Sequence, residues 1–273
     1  MTKIFSILNE KGGSGKSTAS WNICWALANG VGKENEDGAE EGARVLIIDL
    51  DPQRANISYM AGMHQEENKV TMYDVLVNKV SMKKAIRVVE GNLHMVVADL
   101  SVGDITKDNS NLNRFKMALN EIRQYYDYVF IDVPPSPGPA HVYAIGSADY
   151  IIPVMDSDIM NVEALKGLSE TVHAARERVN PSLKVLGVLI NKYNWRTNLS
   201  KKVIKAAQKI AADMDTTVLK TKIRNNVSIA EAVGANVGIT AYDPKSNGSE
   251  DIMNLLAEIM ERMERYEQGT ATK

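Results

Sequence analysis

The sequence predicts an α/β fold, a mostly parallel, doubly wound sheet flanked by helices on both faces, and three observations predict it. Short β-type runs alternate with longer helical patterns from one end of the chain to the other, which is the arrangement that βαβ crossovers produce. A glycine-rich stretch, Gly12-Gly13-Ser14-Gly15, joins the first β-type run to the first helical pattern, where the backbone must turn tightly. The 273 residues are 44% apolar and 24% charged, an ordinary globular composition in a length that buries one core.

In chain order, strands are expected near Lys3 to Leu8, Arg44 to Asp49, Leu93 to Ala98, Tyr128 to Asp132, Tyr150 to Met155 and Leu183 to Ile190. Helices are expected at Lys16 to Asn29, Leu112 to Tyr125, Asn161 to Val179, Leu199 to Met214 and Ser249 to Tyr266. Gly30 to Gly42 is rich in Gly, Glu and Asp without apolar periodicity, so it reads as an exposed acidic loop between the first helix and the second strand. One domain is expected over residues 1–267, with that insertion at 30–42 and a disordered tail at 268–273.

The formal net charge is −2, which gives no global attraction to nucleic acid, so any such binding requires a local basic patch. Cys24 is the only cysteine, which excludes an internal disulfide and a cysteine-held metal cluster within one chain. The opening run Ile4-Phe5-Ser6-Ile7-Leu8 lacks the layout of a signal peptide and is too short to span a bilayer, so a cytoplasmic protein is expected.

The chemistry begins at Asn9-Glu10-Lys11-Gly12-Gly13-Ser14-Gly15-Lys16-Ser17-Thr18, between a strand and a helix. Glycines let successive backbone N–H groups point at phosphate oxygens, and the helix N-terminus adds partial positive charge. Lys16 can then reach the β and γ phosphates while the Ser17 hydroxyl ligates Mg²⁺. The ordinary P-loop pattern has glycine where this chain has Glu10, and a second lysine, Lys11, precedes the glycines. This segment resembles the deviant Walker A loop of the ParA and MinD ATPases. The resemblance implies that Gly12 through Thr18 bind ATP with Mg²⁺, and that Lys11 crosses a homodimer interface to the phosphates held by the partner.

Such chemistry needs a strand-end carboxylate for magnesium's water shell and a second group to orient the attacking water. Asp132 ends Tyr128-Val129-Phe130-Ile131 and precedes Val133-Pro134-Pro135, which looks like the family's Walker B and second switch. Asp49-Leu50-Asp51-Pro52-Gln53 resembles the first switch, which assigns Asp51 to the nucleophilic water and Asp49 to the magnesium shell. For a strand-end aspartate standing alone, a turn or cap role is the better reading, and it is the three matching segments in order that favour the site roles. Asn191 closes its strand at the carboxyl edge, where its amide suits either an adenine edge or a loop-capping role. No arginine finger is evident, so slow hydrolysis and an external activator are expected.

After Asn191, Lys201, Lys205 and Lys209 share one helical face, with Lys202 close by and Arg196 ahead of the helix. Alone, such a stripe reads as a solvated face. Arg196-Thr197-Asn198-Leu199 matches the segment in which ParA relatives carry an arginine for sequence-independent DNA binding, and Arg224 is a candidate extension where relatives have an arginine in place of Ser228. The resemblance spans nearly the whole chain and is to the small ParA class without an N-terminal helix-turn-helix. It implies a nucleoid-associated ATPase that binds non-specific DNA and is stimulated by a ParB-like partner.

Two readings compete: a MinD-like membrane ATPase and a nucleotide-gated adaptor. The first requires a C-terminal amphipathic helix with a basic polar side. Ile252, Leu255, Leu256, Ile259, Met260 and Met263 form an apolar stripe, but Glu258, Glu261 and Glu264 are expected to occupy the polar face, so no membrane partner is expected.

Overall fold

A computed structural model describes residues 1–30, 42–53, 57–63, 69–105, 111–194 and 196–269, with backbone alone at 104 and 105. The acidic insertion, apart from Gly30 and Gly42, and the last four residues of the expected tail lie outside the described residues.

The first half of the chain forms β1 (Lys3–Leu8), α1 (Lys16–Ala28), β2 (Val45–Asp49), α2 (Ile57–Met60), α3 (Met72–Leu76), α4 (Met82–Ala85), β3 (Ile86–Glu90), β4 (Leu93–Val96), α5 (Val102–Ile105), α6 (Leu112–Ile122) and β5 (Tyr128–Asp132). The second half forms α7 (Pro139–Ser147), β6 (Tyr150–Met155), α8 (Met160–Arg178), β7 (Lys184–Val185), β8 (Val188–Tyr193), α9 (Asn198–Asp213), β9 (Val218–Arg224), α10 (Val227–Gly234), α11 (Ile239–Tyr242) and α12 (Asn247–Glu267).

The sheet runs β3-β4-β2-β5-β1-β6-β8-β9, with β7 paired beside β6. Every pairing is parallel except the β3–β4 edge. The central strands are continuous apolar runs because helices cover both faces of a parallel sheet. Alternation sorts their side chains: Ile4 and Leu8 point into one apolar core, Phe5 and Ile7 into the other. The β2–β5 register sets Asp49 opposite Asp132, so two carboxylates converge at the carboxyl edge, where such sheets bind ligands.

Strands β1, β5 and β6 match the sequence expectation residue for residue, and the run expected from Leu183 to Ile190 divides at Gly187. A Cβ at Gly187 would stand 2.4 Å from Leu219 Cδ2, so β9 approaches there because no side chain intervenes. Strand β9 was not expected: Lys220, Lys222 and Arg224 break up its apolar character and read instead as a basic patch. The same edge is covered by α12. Glu258 is buried and accepts the backbone N–H groups of Lys220 and Thr221, both at 2.8 Å, so it does not belong to the exposed polar face assigned to it from sequence.

Ile252, Leu255, Leu256, Ile259 and Met263 of α12 pack into the core that holds Trp21 and Trp25. Burying each is worth about 1.5–3 kcal/mol, so the apolar stripe is committed to the sheet. Among the described residues, no helix is long and apolar enough to cross a membrane.

Candidate nucleotide-binding site

The glycine loop leaves β1 and enters α1 through left-handed turns at Gly13 (φ 77°) and Gly15 (φ 87°). A Cβ at Gly15 would meet Asn191 Nδ2 at 2.0 Å, so this position accepts only glycine. The loop is gripped from the end of β8. Asn191 Nδ2 donates to the Ser14 carbonyl at 2.9 Å, Asn191 Oδ1 accepts the Lys192 backbone N–H at 2.9 Å, and Lys192 Nζ donates to the Gly13 carbonyl at 2.7 Å. These bonds are those of a loop-capping residue, one of the two uses expected of Asn191. No side chain caps the N-terminus of α1, and its first turn carries no acid, which leaves its N–H groups directed toward an anion.

At the loop's start, Asn9 Oδ1 accepts the Lys11 backbone N–H at 2.8 Å, and Asn9 Nδ2 donates to Asn161 Oδ1 at 3.0 Å. Glu10, which replaces the usual glycine, accepts from Thr171 Oγ1 at 3.3 Å and lies where a side chain at position 167 would collide with it, 2.8 Å from an added Cβ. Gly167 on α8 makes room for that departure. Lys11 Nζ contacts Asp158 Oδ2 at 2.5 Å within the same subunit, and this bond holds the Asp158 carboxyl below its ordinary range.

The strand-end carboxylates Asp49, Asp51 and Asp132 are buried. Ser17 Oγ donates to Asp132 Oδ2 at 2.7 Å, while Asp132 Oδ1 has no hydrogen-bond partner. Burial pushes Asp132 up to about 7, against the pull of Ser17 and Lys16. Asp49 is held well above the usual carboxylate range by burial and by the charge of Asp132. Both of its oxygens are engaged, Oδ1 by the Asp51 backbone N–H at 2.8 Å and Oδ2 by Ser58 Oγ. Asp49 thus braces the segment that carries Asp51. Asp51 is 6% exposed, caps the Gln53 N–H at 2.9 Å, and is raised by burial while Lys16 pulls it down. Lys16 is itself pushed down by burial and supported by Asp132 and Asp51.

These residues fit magnesium. An orphaned, fully buried carboxylate oxygen beside a serine hydroxyl is the donor set for an ion that keeps several waters and takes its remaining ligands from phosphates. Ser17 would ligate it directly and Asp132 would hold its water shell; the ion supplies charge neutralisation at the phosphates. No group of three His, Cys, Asp or Glu among the described residues forms an all-protein cage.

Asp132 is also expected to make the protein's stability pH-dependent. An acid whose folded value lies above its unfolded one binds extra proton in the native state, so nucleotide-free stability should fall as pH rises from about 4 to about 7. Asp132→Asn is expected to raise stability at pH 8 by roughly 2–4 kcal/mol, at about 1.4 kcal/mol per pKa unit, while hydrolysis is lost. Thermal midpoints at pH 5.5 and 8, in chelator and without nucleotide, check it. A variant no more stable than the wild type at pH 8 would contradict the burial penalty.

The basic stripe is a surface feature: Lys201, Lys202, Lys205 and Lys209 are exposed on α9, and Val203, Ala207 and Ala211 bury the opposite side. Arg196 is exposed just ahead, where Thr197 caps the helix by accepting the Ser200 N–H at 3.2 Å. Arg224 is a correction. Its guanidinium contacts Asp251 Oδ1 at 2.7 Å and Glu250 Oε2 at 2.6 Å, so two carboxylates neutralise it and it ties β9 to α12. Asp158, Asn9 and Lys192 were missed from sequence. Asp158 follows the carboxyl end of β6, the same kind of position that flagged Asp51 and Asp132, and could have been found.

Fold and site together define an ATPase of the P-loop class whose loop carries a second lysine. The family model for an AAA domain matches residues 2–185. The Bacillus subtilis (strain 168) sporulation initiation inhibitor protein Soj is 33% identical over 264 residues, 95% of this chain and 98% of that protein. The chromosome partitioning protein ParA of Caulobacter vibrioides (strain NA1000 / CB15N) is 31% identical over 276 residues, covering 98% and 97%. The chain belongs to this family: it is a ParA-type ATPase. The Mg-ADP complex of septum site-determining protein MinD from Pyrococcus horikoshii OT3 shares the fold at TM-score 0.74 and 24% identity, covering 95% of this chain and 96% of that one.

Proposed function

We propose that this ATPase partitions a plasmid or chromosome by a two-state cycle. MgATP joins two subunits through Lys11 and the switches, and the dimer binds non-specific DNA of the nucleoid in the cytoplasm. A ParB-like partner stimulates hydrolysis and releases both. The observation that carries this reading is the placement of Lys11 on the loop, a third exposed and paired only to a surface carboxylate, Asp158, from which it can be withdrawn to meet a partner's phosphates. Two α9 stripes side by side would raise avidity for DNA without any new kind of contact. Contacts to backbone phosphates need no base readout, and their affinity falls steeply with salt.

The membrane reading is disfavoured because the α12 stripe is spent on the core. The test is a gel shift of non-specific DNA with ATP, ADP and no nucleotide. A shift with ATP alone is expected, reversed by Arg196→Glu with hydrolysis spared. Equal shifts in all three lanes, or none, would remove ATP-gated DNA binding and favour the adaptor reading.

A further inference from the structure

Lys11 is held at two points by one short segment, Asp156 to Asn161, which joins β6 to α8. Its ammonium meets Asp158 in a contact open to water. Its main chain is held from inside the protein. The Lys11 backbone N–H donates to Asn9 Oδ1 at 2.8 Å, and Asn9 Nδ2 donates both to the Val154 carbonyl and, at 3.0 Å, to Asn161 Oδ1. Asn161 Nδ2 then donates to Asp156 Oδ1, which also accepts the Asp158 backbone N–H at 3.0 Å.

The direction of this chain is fixed at both ends. A backbone N–H only donates and an ionised carboxylate only accepts, so neither amide can be flipped without setting donor against donor. Asn9 is 3% exposed and Asn161 0%, so water does not replace these bonds, and a buried series that ends on a carboxylate is stronger than its members taken singly. Asn161 lies outside the glycine loop, and the cradle for the subunit's own phosphates is gripped separately from β8 by Asn191 and Lys192. What the chain fixes is the place of the Lys11 main chain.

We propose that Asn161 is a positioning residue of the ATPase: through Asn9 it sets the main chain of Lys11, and so the reach of that lysine toward a neighbouring subunit's phosphates. The inference rests on the reading in which Lys11 crosses the dimer, and it predicts that damage at Asn161 is felt in the neighbour's site and not in its own.

Asn161→Leu leaves a buried Asn9 amide hydrogen without its acceptor, and the penalty for such a group predicts turnover lower by about ten- to a hundredfold. ATP affinity should stay within about threefold of wild type, because Asn191 and Lys192 still hold the cradle. Asn161→Asp sets two carboxylates together and should be equally poor. The double variant Asp156→Asn/Asn161→Asp exchanges donor and acceptor and keeps an acceptor for Asn9, so it should recover to within about threefold.

Mixed dimers give the directional test. Asp51→Ala subunits carry an intact Lys11 while their own turnover is lost. With Asp51→Ala in excess, turnover per Asn161→Leu subunit should return to within about fivefold of wild type in the same mixture, because its sound site receives a sound Lys11. The Asp51→Ala/Asn161→Leu chain, in excess over wild type, should instead depress wild-type turnover. Lys11→Ala mixed with Asp51→Ala separates the two readings. If Lys11→Ala is rescued and Asn161→Leu is not, the Asn161 proposal alone falls; if Lys11→Ala is not rescued, the crossing falls and the proposal with it. Wild-type turnover in Asn161→Leu, ATP affinity lost in step with turnover, or a double variant no better than Asn161→Asp would each overturn it as well.

Discussion

An Asp51→Ala variant is expected to bind ATP within a few-fold of wild-type affinity and to lose about 10²–10⁴ in kcat, the range removed with a group that handles a proton or orients water. The structure explains why binding should survive. Asp51 sits just past β2 with its Oδ1 turned to the Gln53 N–H, whereas the phosphate cradle is built by the glycine loop, α1, Asn191 and Lys192. Loss of the carboxylate also removes a support for the Lys16 charge, so a modest rise in KM is consistent. Single-turnover phosphate release, with ATP affinity measured separately, distinguishes the two effects. Turnover within threefold of wild type would take the water away from Asp51 and give it to another residue.

The neighbouring aspartates show what sequence could and could not reveal. Asp49, Asp51 and Asp132 could be placed at the carboxyl edge from sequence because each ends or follows an apolar run that had to be a buried parallel strand, and strand ends of such sheets line the ligand edge. Their division of labour was not legible. It depends on which oxygens are already engaged: Asp49 has both committed to Ser58 and Asp51, whereas Asp132 keeps one buried oxygen unpartnered. The same limit applies to cations. Lys201 and Arg224 look alike in sequence, but Lys201 is exposed on α9 while Arg224 is neutralised across β9 and α12 by a carboxylate 27 positions away. Strand β9 itself escaped detection because its polar positions are satisfied by α12, a long-range pairing without any local periodic signal.

Lys11→Ala is expected to have the larger effect on assembly: ATP binding close to wild type, no ATP-dependent dimer on size exclusion, and a loss of about 10³–10⁵ in turnover if Lys11 acts as the charge supplied in trans. Cis contacts predict no such pattern, because within its own subunit the Lys11 ammonium pairs with Asp158. The Asp158 contact supplies the control. Both members are a third or more exposed, at 33% and 48%, so solvent screens the pair and its release costs little. Asp158→Asn should therefore promote ATP-dependent dimers only a few-fold, and should do nothing in a Lys11→Ala background. A dimer that persists in Lys11→Ala would show that the subunits are held by the switches alone. A strong gain from Asp158→Asn would make the contact a lock, against the screening expected of an ion pair this open to water.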